Sequence, residues 1–160
     1  MIADATIRLA IAADADCIAG MSRDHIEQGL GWRWTAPRIL AAMAAPDMNL
    51  AVALRGEVRV GFGLMRYKDD EAHLSLLAVT AGARRQGVAT ALVRWLERCA
   101  ETAGIGIVNL EARESNAAAL AFYDRLGYRR IARVPGYYLG REDAVRLARD
   151  LWSGPIPDRR

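Results

Sequence analysis

The chain is predicted to fold as one α/β domain, a mixed central sheet of about seven strands flanked by about four helices. Three observations carry this expectation. Strand-like and helix-like segments follow the order β-α-α-β-β-β-α-β-α-β-β, with no internal repeat or linker to divide them. A long amphipathic run, Gly87 to Ala103, separates two apolar strand-like segments, so those strands should be parallel and joined by a right-handed crossover. At 160 residues, 52% apolar and 26% charged, the chain has the size and composition of a single globular domain with a real core.

Thr6 to Leu9 is a short strand candidate, and Ala12 to Gln28 reads as a helix stopped by Gly29-Leu30-Gly31. Trp32-Arg33-Trp34 forms an aromatic loop. Thr35 is the expected N-cap of a second helix through about Ala45, with Pro37 in its first turn. Asn49 to Leu54 and Val58 to Tyr67 flank a hairpin turn at Arg55-Gly56-Glu57, and Glu71 to Val79 follows the turn Lys68-Asp69-Asp70. The long helix places Val88, Leu92, Trp95, Leu96 and Cys99 on its buried face and ends at Gly104. Ile105 to Arg113 is a strand, Ser115-Asn116 opens a helix of Ala117 to Leu126, and Gly127 stops it. Tyr128 to Val134 and Ala144 to Leu151 are the last strands, joined by a loop containing Pro135-Gly136-Tyr137-Tyr138. Residues 1–152 should form the domain and 153–160 a flexible tail rich in Gly and Pro.

Composition removes several function classes. The apolar runs fall far short of the ~20 residues that span a bilayer. The acids Asp4, Asp14 and Asp16, with no basic segment ahead of an apolar stretch, do not resemble a secretion signal. Cys17 and Cys99 lie far apart in helical patterns, as buried or idle thiols, so neither a disulfide nor a metal site is expected, and the cytoplasm is the default location. The net charge of +3 comes from scattered arginines without a dense basic stripe, which argues against a nucleic-acid surface.

The most telling stretch is Arg84-Arg85-Gln86-Gly87-Val88-Ala89, continuing to Thr90, between a strand and the long helix. The first amides of a helix have no internal partner, and the helix dipole adds about half a positive charge there. Gly87 lets the backbone approach a ligand where a Cβ would clash, so a diphosphate is the natural guest. Gly61-Phe62-Gly63 lacks the third glycine and the following helix of a dinucleotide fingerprint, and no Gly-Lys-Ser/Thr loop is present.

A second run, Leu110-Glu111-Ala112-Arg113-Glu114-Ser115-Asn116-Ala117-Ala118-Ala119, precedes Phe122-Tyr123 and Leu126-Gly127-Tyr128. With the Arg-x-x-Gly-x-Ala turn, the Tyr137-Tyr138 pair and Gly140-Arg141-Glu142-Asp143-Ala144, it resembles the GNAT N-acetyltransferases. Within them it is most similar to the ribosomal-protein-alanine N-acetyltransferase branch. The resemblance covers about Glu71 to Leu147, and the N-terminal third is only loosely similar. It implies a GNAT-like domain that uses acetyl-CoA as co-substrate and no metal. The backbone of Leu77, Ala78 and Val79 would hold the acetyl-bearing arm, and Arg85 to Thr90 would wrap the pyrophosphate. Asn116 would bond the pantetheine arm, Glu111 would be the general base and Tyr123 the general acid. Arg84 and Arg85 would contribute charge.

Read as residues alone, each position has a second reading. Glu111 shares a strand face with Asn109 and Arg113 and could simply meet solvent, Tyr123 could be a core tyrosine, and Asn116 could be only an N-cap. His73 and Ser75 share a strand face, His73 being either structural or a reserve base. Trp32, Trp34, Tyr137 and Tyr138 divide between packing and walls of an acceptor groove. The chain departs from the ribosomal branch at Leu76, where a polar residue is usual, at Arg33, where proline is, and at Ala89, where glycine is. The first two lie on the acceptor side. The expected acceptor is therefore a primary amine, either a protein N-terminus or a small amine such as an amino acid, polyamine or drug. A CoA-binding regulatory module without turnover is the reading from another class. Oligomeric state is not legible in the pattern, which a homodimer would satisfy.

Overall fold

A computed structural model describes residues 5–153. Asp4 and the expected tail, Ser153 excepted, lie outside the described residues. The strands are β1 (Thr6–Leu9), β2 (Met48–Arg55), β3 (Val58–Tyr67), β4 (Glu71–Val79), β5 (Ile107–Arg113), β6 (Arg129–Tyr138) and β7 (Glu142–Asp150). The helices are α1 (Ala15–His25), α2 (Ala36–Ala44), α3 (Val88–Thr102) and α4 (Ala117–Leu126), with single 3₁₀ turns at Ala12–Asp14 and Ala81–Ala83. All seven strands join one sheet in the order β1-β2-β3-β4-β5-β7-β6. Every pairing is antiparallel except β4–β5, the parallel pair connected by α3. No helix among the described residues is long and apolar enough to cross a membrane.

The sheet is covered on both faces. Val88, Leu92, Val93, Leu96 and Ala100 of α3 and Leu120, Tyr123 and Leu126 of α4 build one core with Ala72, Leu74 and Val79 of β4. Ile18, Ala19 and Met21 of α1 and Ile39 and Ala42 of α2 build the other with Leu76 and Ala78. Each large aliphatic side chain so buried stabilises the fold by about 1.5–3 kcal/mol. The even-numbered residues of β4 thus feed one core before Ser75 and the other after it, although alternation would keep residues 72, 74, 76 and 78 on one face. The cause is a bulge: Leu64 faces Leu76 while Met65 faces Leu74, leaving Ser75 as an extra residue on β4. Bulging also bends the strand. β4 pairs with β5 only from Glu71–Ile107 to His73–Asn109, whereas β5 stays paired with β7 along its whole length. Beyond His73 the parallel strands separate, and the cleft described below opens between them.

Gly61 and Gly63, dismissed above as a nucleotide motif, serve packing. A Cβ on Gly63 would lie 2.8 Å from Leu96 Cδ1, and one on Gly61 would lie 2.9 Å from the Ala78 carbonyl, so their absence lets α3 settle close to the sheet. Inside that same layer sits a carboxylate that periodicity did not reveal. Glu97 is 2% exposed and accepts from Arg94 (2.7 Å), Arg149 (2.8 Å) and the Tyr128 hydroxyl (3.0 Å). A buried charge is tolerable only with such partners.

Several expectations are corrected. α1 ends at His25 rather than Gln28, because the chain turns back so that the Ile26 and Glu27 amides both bond the Ser22 carbonyl. Thr35 stands at the N-cap of α2, but its side chain accepts no hydrogen bond. Trp95 and Cys99 are only partly buried, at the edge of the α3 stripe, whereas Val93 and Ala100 are buried; Cys17 is exposed. Pro135 to Tyr138 is not a loop: β6 runs through it to Tyr138 and the turn falls at Leu139–Arg141. Proline is tolerated because β6 is the outermost strand and is irregular between Val134 and Tyr138.

Candidate active site

The separation of β4 from β5 produces a cleft of about 420 Å³, within the usual range for small-ligand sites. His73, Ser75 and Leu77 line it from β4, Glu111 and Arg113 from β5, and Asn116 and Tyr123 from the start and middle of α4. Glu27, Arg33 and Trp34 enter from the α1–α2 loop, and Tyr137 and Tyr138 from β6. Glu111, Tyr123 and Asn116, separate in the sequence, therefore meet in one cavity with Trp34, Tyr137 and Tyr138. Ala78, Val79 and residues 84–90 do not line the cleft, and neither does Trp32, which is 45% exposed and donates its indole N–H to the Ala19 carbonyl (3.1 Å).

Glu111 is the electrostatic centre. Its register opposite Arg146 on β7 brings the Arg146 Nε within 3.0 Å of Oε1, and His73 Nε2 lies 2.5 Å from Oε2. The other imidazole nitrogen, Nδ1, is 2.8 Å from Ser75 Oγ, so a hydrogen-bonded chain runs Ser75–His73–Glu111–Arg146. Burial by itself would raise the Glu111 carboxyl, but the hydrogen bonds and charges of His73 and Arg146 outweigh it and hold the group below its ordinary value of 4.5. Glu111 is thus not a solvated face residue. Across the cleft, Tyr123 is 8% exposed and packs edge-on against Phe122 and Tyr128. Burial pushes its phenol well above 10, so the hydroxyl keeps its proton at any physiological pH. Burial, then the neighbouring Tyr137, raises Tyr138 to about 12.

Downstream on β4 the chain enters the turn before α3. Arg85 and Gly87 adopt φ of 62° and 82°, a conformation that costs a non-glycine residue about 1–2 kcal/mol. The amides of residues 85–90 donate to no backbone or side-chain acceptor among the described residues. Six consecutive free amides at the positive end of a 15-residue helix fit an anion such as a diphosphate. The Arg84 guanidinium bonds His25 Nδ1 (3.2 Å) and the Val79 carbonyl (3.4 Å) beside this turn. Val88 contributes its amide only, since its side chain is in the core. Asn116 caps α4 by accepting from the Ala119 amide (3.1 Å), which leaves its NH₂ unspent.

Sequence reasoning missed three residues of this site. Arg146 could have been found by period two, as the polar position between buried Val145 and Leu147. Glu27 accepts from the Arg33 and Trp34 amides and from Ser22 Oγ and so folds the acceptor-side loop. Arg113 donates to Glu142 (2.8 Å) and to the Ile26 (3.0 Å) and Gln28 (2.8 Å) carbonyls, fastening that loop to β5. The Glu27 contacts close a short loop with no periodic signal, and those of Arg113 join distant segments. Among the described residues no cluster of three or more His, Cys, Asp or Glu could hold a metal ion.

Comparison with known proteins agrees with this geometry. The model of the Acetyltransferase (GNAT) family matches residues 17–128. A [ribosomal protein bS18]-alanine N-acetyltransferase of Escherichia coli K12 is 33% identical over 128 residues, covering 78% of this chain and 86% of that protein. The crystal structure of the Escherichia coli ribosomal-protein-S18-alanine N-acetyltransferase superposes with a TM-score of 0.80 at 25% identity, over 96% of this chain and 97% of that one. Ard1 from Thermoplasma volcanium superposes with a TM-score of 0.82 at 25% identity, over 92% and 98% of the two chains.

Proposed function

The chain belongs to the GNAT acetyltransferase family, and on that premise we propose that it acetylates the α-amine at the N-terminus of a peptide or protein, using acetyl-CoA. The observation that carries this reading is the His73–Glu111 pair at 2.5 Å in the cleft that also holds the Tyr123 hydroxyl. When bound, acetyl-CoA supplies an acyl group on a thiolate leaving group. The unpartnered amides of residues 85–90 suit its diphosphate, the backbone of Leu77 to Val79 its acetyl-bearing arm, and the Asn116 NH₂ its amide-rich middle.

The acceptor must be neutral to attack. An α-amine with a pKa near 8 is about a tenth neutral at pH 7, a lysine side chain at about 10.4 below a thousandth. His73, whose Nε2–H donates to Glu111, faces Ser75 Oγ with Nδ1, so the proton that the amine sheds passes to the Ser75 oxygen while the Ser75 hydroxyl proton moves to Nδ1. Glu111, kept ionised, stabilises the imidazolium that results. Tyr123, kept protonated, donates to the departing sulfur. Glu111 thus acts with His73 rather than alone, a refinement of the roles that the family resemblance implies.

A small polycationic acceptor is disfavoured by the charge inventory of the cleft. Both of its lining carboxylates are committed, Glu27 to backbone amides and Ser22, Glu111 to His73 and Arg146, so neither is free for a polycation. The convergence of Glu111, His73 and Tyr123 likewise argues against a module without turnover. A cytoplasmic setting accords with the two unpaired thiols, Cys17 and Cys99. Thiol release from acetyl-CoA tests the proposal on three panels: peptides with free α-amines, the same peptides blocked at the α-amine but carrying lysine, and polyamines. Turnover confined to the first panel supports it; turnover confined to the third, or in none, defeats it.

A further inference from the structure

The charged groups that line the cleft are, with one exception, already matched. Glu27, Glu111 and Arg113 have the partners given above, and His25 Nδ1 meets Arg84 at 3.2 Å. The exception is Arg33. It lines the cleft and is exposed, and its guanidinium makes no hydrogen bond or ion pair among the described residues. Its backbone is nonetheless fixed, because the Arg33 amide donates to Glu27 Oε1 at 2.7 Å. A buried carboxylate therefore holds this arginine at the rim and leaves its charge unspent. Arg38 lies over the ring of the lining residue Trp34 at 4.0 Å and has no carboxylate partner among the described residues, although it does not itself line the cleft.

We propose that Arg33 selects acceptor peptides bearing a carboxylate side chain within the first few residues after the acetylated one. This rests on the α-amine reading of the site. A planar guanidinium matches a carboxylate by two parallel hydrogen bonds, and its uncompensated charge at the rim draws acidic peptides while repelling basic ones. The carboxylate is a side chain of the peptide rather than the α-carboxylate of a free amino acid. An α-carboxylate sits one carbon from the amine and would be held against ionised Glu111, whereas a downstream side chain reaches the loop wall clear of it.

The test uses one peptide series with a constant first residue and Glu, Gln or Lys at the second, third or fourth position, together with free glutamate. The readout is kcat/KM by thiol release. The Glu peptide at the best position should exceed its Gln analogue about threefold and its Lys analogue about tenfold, the size expected of one exposed ion pair and its reversal. That ratio should collapse in Arg33→Ala, invert in Arg33→Glu, survive in part in Arg33→Lys and shrink in 0.5 M salt. A ratio between peptides is taken within each variant, so a loss of folded enzyme cancels. Equal rates for Glu, Gln and Lys peptides, or an acid preference unchanged in Arg33→Glu, would overturn the inference alone. Free glutamate outpacing every peptide would overturn the assignment of the carboxylate. No turnover of any peptide would overturn the α-amine reading and this inference with it.

Discussion

The segment proposed to hold the donor and the cleft proposed to hold the acceptor are built by different means. Residues 77–90 run as one continuous segment from the cleft into α3, and the groups they offer as a donor half are backbone: free amides, a positive φ at Gly87 and a helix end. The acceptor half draws side chains from the α1–α2 loop, β4, β5, α4, β6 and β7, and its working groups are a carboxylate, an imidazole, phenols and guanidiniums. A backbone site tolerates changes of side chain and is written locally. A side-chain site depends on each residue and on the contacts that bring the segments together.

Substitutions separate the two halves in proportion. The largest effect is expected on the acceptor side. Tyr123→Phe and Glu111→Gln should each lower kcat about 10²–10⁴-fold while KM for acetyl-CoA changes little, as steady-state kinetics will show. Full activity in both would break the assignment even within the right family. His73→Gln, which removes the proton acceptor itself, should lower kcat by a similar factor of about 10²–10⁴.

On the donor side the backbone should matter more than the charges. Gly87→Ala forces a Cβ into φ 82° and should raise KM for acetyl-CoA about tenfold, whereas Arg84→Ala and Arg85→Ala should change it less than about threefold. Isothermal titration with CoA gives the same comparison without turnover; a larger loss at Arg84 than at Gly87 would reverse the contrast. Asn116→Ala, which removes the α4 cap, should cost about 1 kcal/mol of stability by denaturant titration.

The smallest expected effect is a pH dependence. The Glu111 pKa is lowered in the folded protein, so its ionised form stabilises the fold. That contribution is complete above the ordinary value of 4.5 and is lost as pH falls through the lowered value. The gap in stability between the protein and Glu111→Gln should therefore be constant from pH 6 to 8 and close below about pH 4.5. A gap that stays unchanged as pH falls below 4.5 would break the assignment of this linkage to Glu111.

The elements of the proposed donor half were legible because their determinants are consecutive: the Arg-x-x-Gly-x-Ala turn, the amphipathic repeat of α3 and the Asn116 cap each occupy one short window. The strand order was legible for the same reason, with boundaries displaced where contacts outside the element intervened. α1 stops early because Glu27 turns back to the α1–α2 loop, and β6 continues through Pro135 because an edge strand can spare a donor. The bulge at Ser75 left no periodic trace, since an extra residue appears only against the partner strand.

By itself the sequence determined the α/β class, the parallel crossover through α3, the glycine turn that opens α3 and the family resemblance that singled out Glu111, Asn116 and Tyr123. These rest on local geometry and short-range patterns, which a linear chain records directly. Only the tertiary structure decided that Glu111 meets His73 and Arg146, that Trp34 rather than Trp32 lines the cleft, and that Arg33 keeps a free charge at its rim. Such facts arise where β4 and β5 part and segments up to 87 residues apart close around the gap, as Arg113 does on Ile26. No window of sequence contains both partners of those contacts, so folding alone brings them together.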